Sequence, residues 1–172
     1  IARQQQAQRI ALRRPQRIAI LGVSQQRVIH GFLDGHASRG RYAELLAAMP
    51  RMKTPIVCAV HGDALGGGLG LVAAADLAIA DPGARLGTPE IRVGLFPMII
   101  MAALQRCVPR KALLEMILTG SKMPADEARS LGLINRVSAP GACMEETMAL
   151  ARSLADRSSA VLGLGKAAFY RV

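Results

Sequence analysis

Residues 55–60 form an unbroken apolar run, the mark of a strand buried on both faces. The next strand is predicted at residues 76–80, Asp76-Leu77-Ala78-Ile79-Ala80, and between the two lie a turn at His61-Gly62-Asp63 and the glycine triplet Gly66-Gly67-Gly68. The triplet opens an Ala/Leu-rich helix reaching about Ala75, and Asp81-Pro82-Gly83 turns the chain again. Apolar residues recur at helical spacing over residues 42–52, where Pro50 interrupts the end. Further helices are predicted over 111–118, closed by Gly120, and over 124–131, with Asp126 and Glu127 in an acidic first turn and Gly132 beyond the end. Residues 133–137 read as a strand and 145–157 as an amphipathic helix; near the start, 17–21 read as a short strand. Strands alternating with helices indicate an α/β architecture with largely parallel pairing, with no internal repeat and no second domain.

Composition narrows this picture. A chain of 172 residues is the size of one ordinary domain. With no Trp and only five Phe plus Tyr, its core has to be aliphatic. No apolar run reaches the roughly 18 residues that span a bilayer, and the Gln- and Arg-rich start lacks the apolar stretch of a secretory signal. Cys58, Cys107 and Cys143 are odd in number and lack C-x-x-C spacing, so they read as reduced thiols of a cytoplasmic protein, with no metal site expected. The net charge of +10 is unevenly placed: residues 1–43 hold eight Arg, no Lys and one acid, Asp34, while the remainder is nearly balanced. We therefore divide the chain into a basic Gln/Arg-rich segment, 1–43, and a core, 44–172. The basic segment reads as a solvated arm; without interleaved aromatics it lacks the stacking platform of a nucleic-acid binder.

A strand, a turn, Ala64-Leu65-Gly66-Gly67-Gly68 and a helix form the chain's most informative constellation. Glycines remove every Cβ where the chain enters the helix, and the helix start presents unsatisfied N–H donors and the positive end of its dipole. That arrangement suits a phosphate or a developing oxyanion. It also suits a tight helix–strand crossing, which needs small residues for packing alone. No Gly-Lys-Ser/Thr follows, so it is not a P-loop. His61 reads as a turn residue and Asp76 as a locally paired strand start.

The stretch Pro55 to Gly68, followed by Ala75-Asp76-Leu77-Ala78-Ile79-Ala80, resembles the signature of the enoyl-CoA hydratase/isomerase (crotonase) superfamily. In register with it are Ala84-Arg85-Leu86-Gly87-Thr88-Pro89-Glu90, Val93-Gly94-Leu95-Phe96-Pro97, Ala112 to Gly120, and Gly132-Leu133-Ile134-Asn135-Arg136-Val137. The resemblance covers about residues 53–170. It implies an α/β fold of the crotonase type (ClpP/crotonase-like), a spiral of ββα units, here truncated at both ends with the C-terminal helical region incomplete. It implies an oxyanion hole of two backbone amides. Gly67 would supply one, and His36 the other, through the loop Phe32-Leu33-Asp34-Gly35-His36 in the segment 1–43. It implies that Glu90 is the acid/base. Ala64, Leu65, Gly66, Gly68, Pro89, Leu95, Phe96, Pro97 and Met98 would line the substrate, and Lys166 and Phe169 would contact CoA. The substrate would be an acyl-CoA thioester with no cofactor beyond its own CoA, and the assembly a homotrimer or a dimer of trimers if the C-terminal region is complete; no membrane partner is expected, and a nucleic-acid partner is disfavoured.

Three departures bear on activity. The family's first glutamate falls on Gly70, Ala37 stands where an Asp usually follows the first oxyanion loop, and Pro97-Met98-Ile99-Ile100-Met101 replaces a Pro-x-x-Gly-Gly turn. Enolate stabilisation with proton transfer by Glu90, giving isomerisation or inefficient hydration, is the preferred reading. The alternatives are a non-catalytic acyl-CoA-binding or assembly subunit and, behind it, a basic-arm nucleic-acid binder. Placing a glutamate at Gly70 is expected to raise hydration if the frame is intact.

Overall fold

The computed structural model describes residues 19–24 and 35–171. The chain runs β1 (Ala19–Ser24), α1 (Gly35–Ala48), β2 (Ile56–His61), β3 (Ala64–Leu65), α2 (Gly67–Ala74), β4 (Leu77–Ala80), β5 (Arg85–Gly87), α3 (Met98–Leu104), α4 (Arg110–Thr119), β6 (Lys122–Pro124), α5 (Ala125–Ser130), β7 (Arg136–Val137), α6 (Cys143–Ala155) and α7 (Ser159–Phe169). Short 3₁₀ turns occupy Met49–Arg51 and Pro89–Val93. Successive strands go to different sheets. One sheet has the order β1-β2-β4-β7, all parallel; the other has the order β3-β5-β6, with β6 antiparallel. Thus β2-β3-α2 and β4-β5-α3 are successive ββα turns of a spiral, each adding one strand to each sheet.

The apolar run of β2 is explained by its two covered faces. Ile56, Cys58 and Val60 join the main core with Leu69, Val72, Ile100 and Leu104 on the α2–α3 side. Val57 packs instead with Ala151, Leu150 and Leu162, and Ala59 with Ile79 and Cys143, beneath α6. Val57 and Val60 are fully buried, each contributing about 1.5–3 kcal/mol of hydrophobic stabilisation.

Several elements differ from the sequence reading. The first helix begins earlier, at Gly35, and gives way at Ala48 because Pro50 lies in the first turn of a 3₁₀ segment. The composition change near residue 43 therefore falls inside α1. The first strand is shifted to Ala19–Ser24, paired with β2 from Ala19↔Ile56 to Ser24↔His61; Arg17 and Ile18 lie outside the described residues. The strand expected over 133–137 shortens to Arg136–Val137. Leu133 N–H still bonds Ala128 O as the chain leaves α5, and Asn135 meets Ala78 twice: its backbone N–H donates to Ala78 O at 2.9 Å, and its side-chain Oδ1 accepts from the Ala78 amide at 2.8 Å. Helix α7, beyond the predicted elements, is capped by Ser158, whose hydroxyl accepts from Val161 N–H.

A buried charge cluster fastens α7 to the sheet. Lys166 Nζ lies 2.6 Å from Asp76 Oδ2 and also donates to the carbonyls of Met49 and Thr54, at 3.0 and 3.2 Å. Asp76 in turn accepts from Ile56 N–H at 2.7 Å and from the Tyr170 hydroxyl at 2.9 Å. Asp76 thus pairs across the fold, not locally as its position at a strand start suggests.

Candidate active site

Parallel pairing of β3 with β5, Ala64↔Leu86 and Leu65↔Gly87, sets the carboxyl ends of the two strands side by side. The glycine triplet leaves one end and Thr88-Pro89-Glu90 leaves the other, so residues more than twenty apart in sequence meet there. Gly66 has φ +54° and ψ −120°, in the left-handed φ range that favours glycine, and a Cβ there would lie 2.8 Å from Glu90 Oε1. Its N–H is bonded to Gly87 O and its carbonyl to Gly70 N–H, both at 3.0 Å. The Gly67 amide, in the first turn of α2, has no intrahelical acceptor, and none of the described backbone bonds uses it.

Glu90 sits on a rigid support. Thr88 is fully buried and its hydroxyl donates to Met116 O in α4 at 3.2 Å; Pro89 starts the 3₁₀ turn, and Leu95 N–H closes back on Glu90 O at 3.1 Å. The carboxyl is half-buried, and Oε2 is out of reach of solvent with no hydrogen-bond partner among the described residues. Burial pushes the Glu90 acid above the ordinary carboxylate range, opposed in part by its own backbone N–H. A carboxyl packed against Gly66, the residue before a free helix-start amide, and with raised proton affinity, is equipped to move a proton next to a developing oxyanion.

Tyr42 is the functional candidate that sequence reasoning missed. On α1 it reads as one more apolar position of an amphipathic helix. In the structure its hydroxyl donates to Gly67 O and lies close enough to Glu90 for that charge, after burial, to raise the phenol's proton affinity. A Cβ on Gly70 would collide with this hydroxyl and with Ile100 Cγ2, and would lie 3.0 Å from Ile100 Cβ. The expectation that Gly70→Glu restores a second carboxylate is therefore corrected: the first atom of the side chain has no room.

The other expected site residues divide. Ala64 is buried in β3, Leu65, Gly68 and Pro89 are half-buried around the turn, and Pro97 is buried at the start of α3. Leu95, Phe96 and Met98 are exposed. His36 lies in the first turn of α1, whereas Phe32, Leu33 and Asp34 lie outside the described residues. Phe169 is exposed, with its ring edge-on to Tyr170. Lys166 is a correction: its side chain is only 6% exposed and its three bonds are internal, so it has no donor left for CoA. His61 is exposed, 3.9 Å from Asp81. A mostly apolar cavity of about 500 Å³ opens at the far end of α2, lined by Leu46, Ala74, Ile99, Arg106 and Tyr170 among others; neither Gly67 nor Glu90 reaches it. The three cysteines are free, and burial holds the Cys58 thiol up at about 12.

Comparison with known proteins agrees with this frame. Residues 4–171 match the family model described as enoyl-CoA hydratase/isomerase. The human protein named enoyl-CoA hydratase domain-containing protein 3, mitochondrial, is 43% identical over 117 residues, which cover 68% of this chain and 39% of that one. A crystal structure of an enoyl-CoA hydratase from Mycobacterium smegmatis superposes with a TM-score of 0.77 at 38% identity, over 85% of this chain and 57% of that one. A structure of an enoyl-CoA hydratase/isomerase family protein from Silicibacter pomeroyi gives a TM-score of 0.79 at 31% identity, over 88% and 70% of the two chains. The chain spans less than half the length of the first curated relatives it matches.

Proposed function

Because this chain belongs to the enoyl-CoA hydratase/isomerase family, we propose that it binds an acyl-CoA thioester and stabilises the enolate while Glu90 moves a proton. The observation that carries this reading is the Glu90 carboxyl, pressed against Gly66 with one buried oxygen unpartnered. The ionised carboxylate takes a proton from the α-carbon of a 3-enoyl thioester. The electron pair moves onto the thioester oxygen, which accepts from Gly67 N–H and from a second amide, for which His36 is the candidate. Glu90 then returns the proton to the γ-carbon, giving the 2-enoyl isomer with no net gain or loss of atoms. The exposed apolar side chains of Leu95, Phe96 and Met98 would meet the acyl chain, and exposed Phe169 is the remaining candidate for CoA.

No cofactor enters the reaction beyond the substrate's own CoA. No described helix is long and apolar enough to cross a membrane, and a reducing compartment suits the three free thiols. The exposed apolar residues Val161 and Leu164 of α7 suit a homotrimer contact. The test is isomerisation of a 3-enoyl-CoA by wild type and Glu90→Gln. Loss of about 10²–10⁴ in kcat with binding retained supports the proposal. Acyl-CoA binding with no turnover, or with turnover indifferent to Glu90→Gln, would replace it by a non-catalytic acyl-CoA binder.

A further inference from the structure

We propose that Tyr42 and Ile100 together decide which reaction this site performs, by filling the space above Gly70 from which a water molecule would be delivered to the substrate. This inference rests on the proton-transfer reading of Glu90. Adding water to a conjugated thioester requires more than a base. The water has to sit within hydrogen-bond reach of that base, in a space of molecular size, and be oriented by two or more polar partners. Above Gly70 those conditions are not met. Ile100 Cγ2 and the Tyr42 hydroxyl approach Gly70 so closely that even a methyl group would collide with them. Ile100 offers no hydrogen bond, and it is held in place as a buried member of the main core. The Tyr42 hydroxyl proton is committed to Gly67 O, which fixes the ring over the first turn of α2. Gly70 itself supplies no side chain. Glu90 is left as a lone proton carrier beside a filled space, a site that shifts a double bond and does not hydrate it.

The pair comes from separate elements, α1 and α3, and meets only through α2, so neither residue announces this role in sequence. Substituting either one opens space without touching the carboxyl. The experiment measures hydration of crotonyl-CoA and isomerisation of a 3-enoyl-CoA by the full chain as wild type, Tyr42→Phe, Ile100→Ala and the double variant, with Glu90→Gln as control. Circular dichroism and melting confirm that each variant is folded. Tyr42→Phe keeps the ring and provides the mild variant should Ile100→Ala not fold. The ratio of hydration to isomerisation is expected to rise in both single variants and by about tenfold in the double, equivalent to about 1.4 kcal/mol between the two barriers. An unchanged ratio in folded variants, with isomerisation still abolished by Glu90→Gln, overturns the role of the pair and leaves the Glu90 reading standing. A wild type that hydrates as readily as it isomerises does the same. Isomerisation that is absent or indifferent to Glu90→Gln overturns both.

Discussion

Gly70→Ala sets two effects of known size against each other. Within a helix, alanine is favoured over glycine by about 1 kcal/mol, partly because the unfolded chain loses less freedom. On that ground alone the substitution stabilises α2. Packing opposes it: the new methyl would collide with Ile100 Cγ2 and the Tyr42 hydroxyl and stand 3.0 Å from Ile100 Cβ. None of these is the loose end of a flexible side chain; Ile100 is buried and β-branched, and Tyr42 is tied to Gly67 O. Overpacking a well-filled core costs about 1–3 kcal/mol, and two simultaneous collisions argue for the upper part of that range. The net expectation is a loss of about 1–2 kcal/mol, read as a lower urea midpoint at unchanged slope. In an Ile100→Ala background one collision disappears, so the same substitution should cost less there; the two changes should be non-additive by about 1 kcal/mol. A Gly70→Ala protein as stable as wild type, or more so, would refute the packing argument and with it the claim that Gly70→Glu cannot be accommodated.

Glu90→Gln should raise stability at neutral pH while lowering kcat by about 10²–10⁴. Burial raises this acid in the folded state, so its contribution is fully present below the unfolded-state pKa and is lost as pH rises through the raised folded value; the amide removes that penalty. Melting temperature against pH should therefore be flatter in the variant. As a base Glu90 has to be ionised, so kcat/KM should fall with an acid limb above the usual carboxylate range, seen in a pH–rate profile. Lys166→Met leaves Asp76 buried without its counter-ion and should cost about 3–5 kcal/mol in denaturant unfolding, with Lys166→Met/Asp76→Asn less damaging than the single change. Cys58, buried and with its thiol raised to about 12, should stay unmodified by a thiol reagent in native protein and react only on unfolding, as followed by mass spectrometry.

How much of this could be read from the chain depended on the range of the interaction. The run over 55–60 and the glycine triplet carry their meaning locally, and the family resemblance aligned Glu90 with them. Strands β3, β5 and β6 have two or three residues each and are too short to show a period; they exist because the spiral places them side by side. Helix α7 carries Gly163 and Gly165, which weaken the helical pattern, and Gly163 packs 3.3 Å (as a notional Cβ) from Lys53. Tyr42 could not be identified because its partners, Gly67 and Gly70, lie 25 and 28 residues away on another helix. Lys166 was assigned outward by resemblance, whereas a carboxylate 90 residues earlier holds it inside.

The sealed Oε2 of Glu90 has one more consequence. A hydrogen held on that oxygen between removal and return is shielded from bulk water, whereas the rest of the carboxyl is only half-buried. Deuterium placed on the α-carbon of a 3-enoyl thioester should then reappear in part on the γ-carbon of the product, and the fraction retained reports how often the nucleus rides on the sealed oxygen.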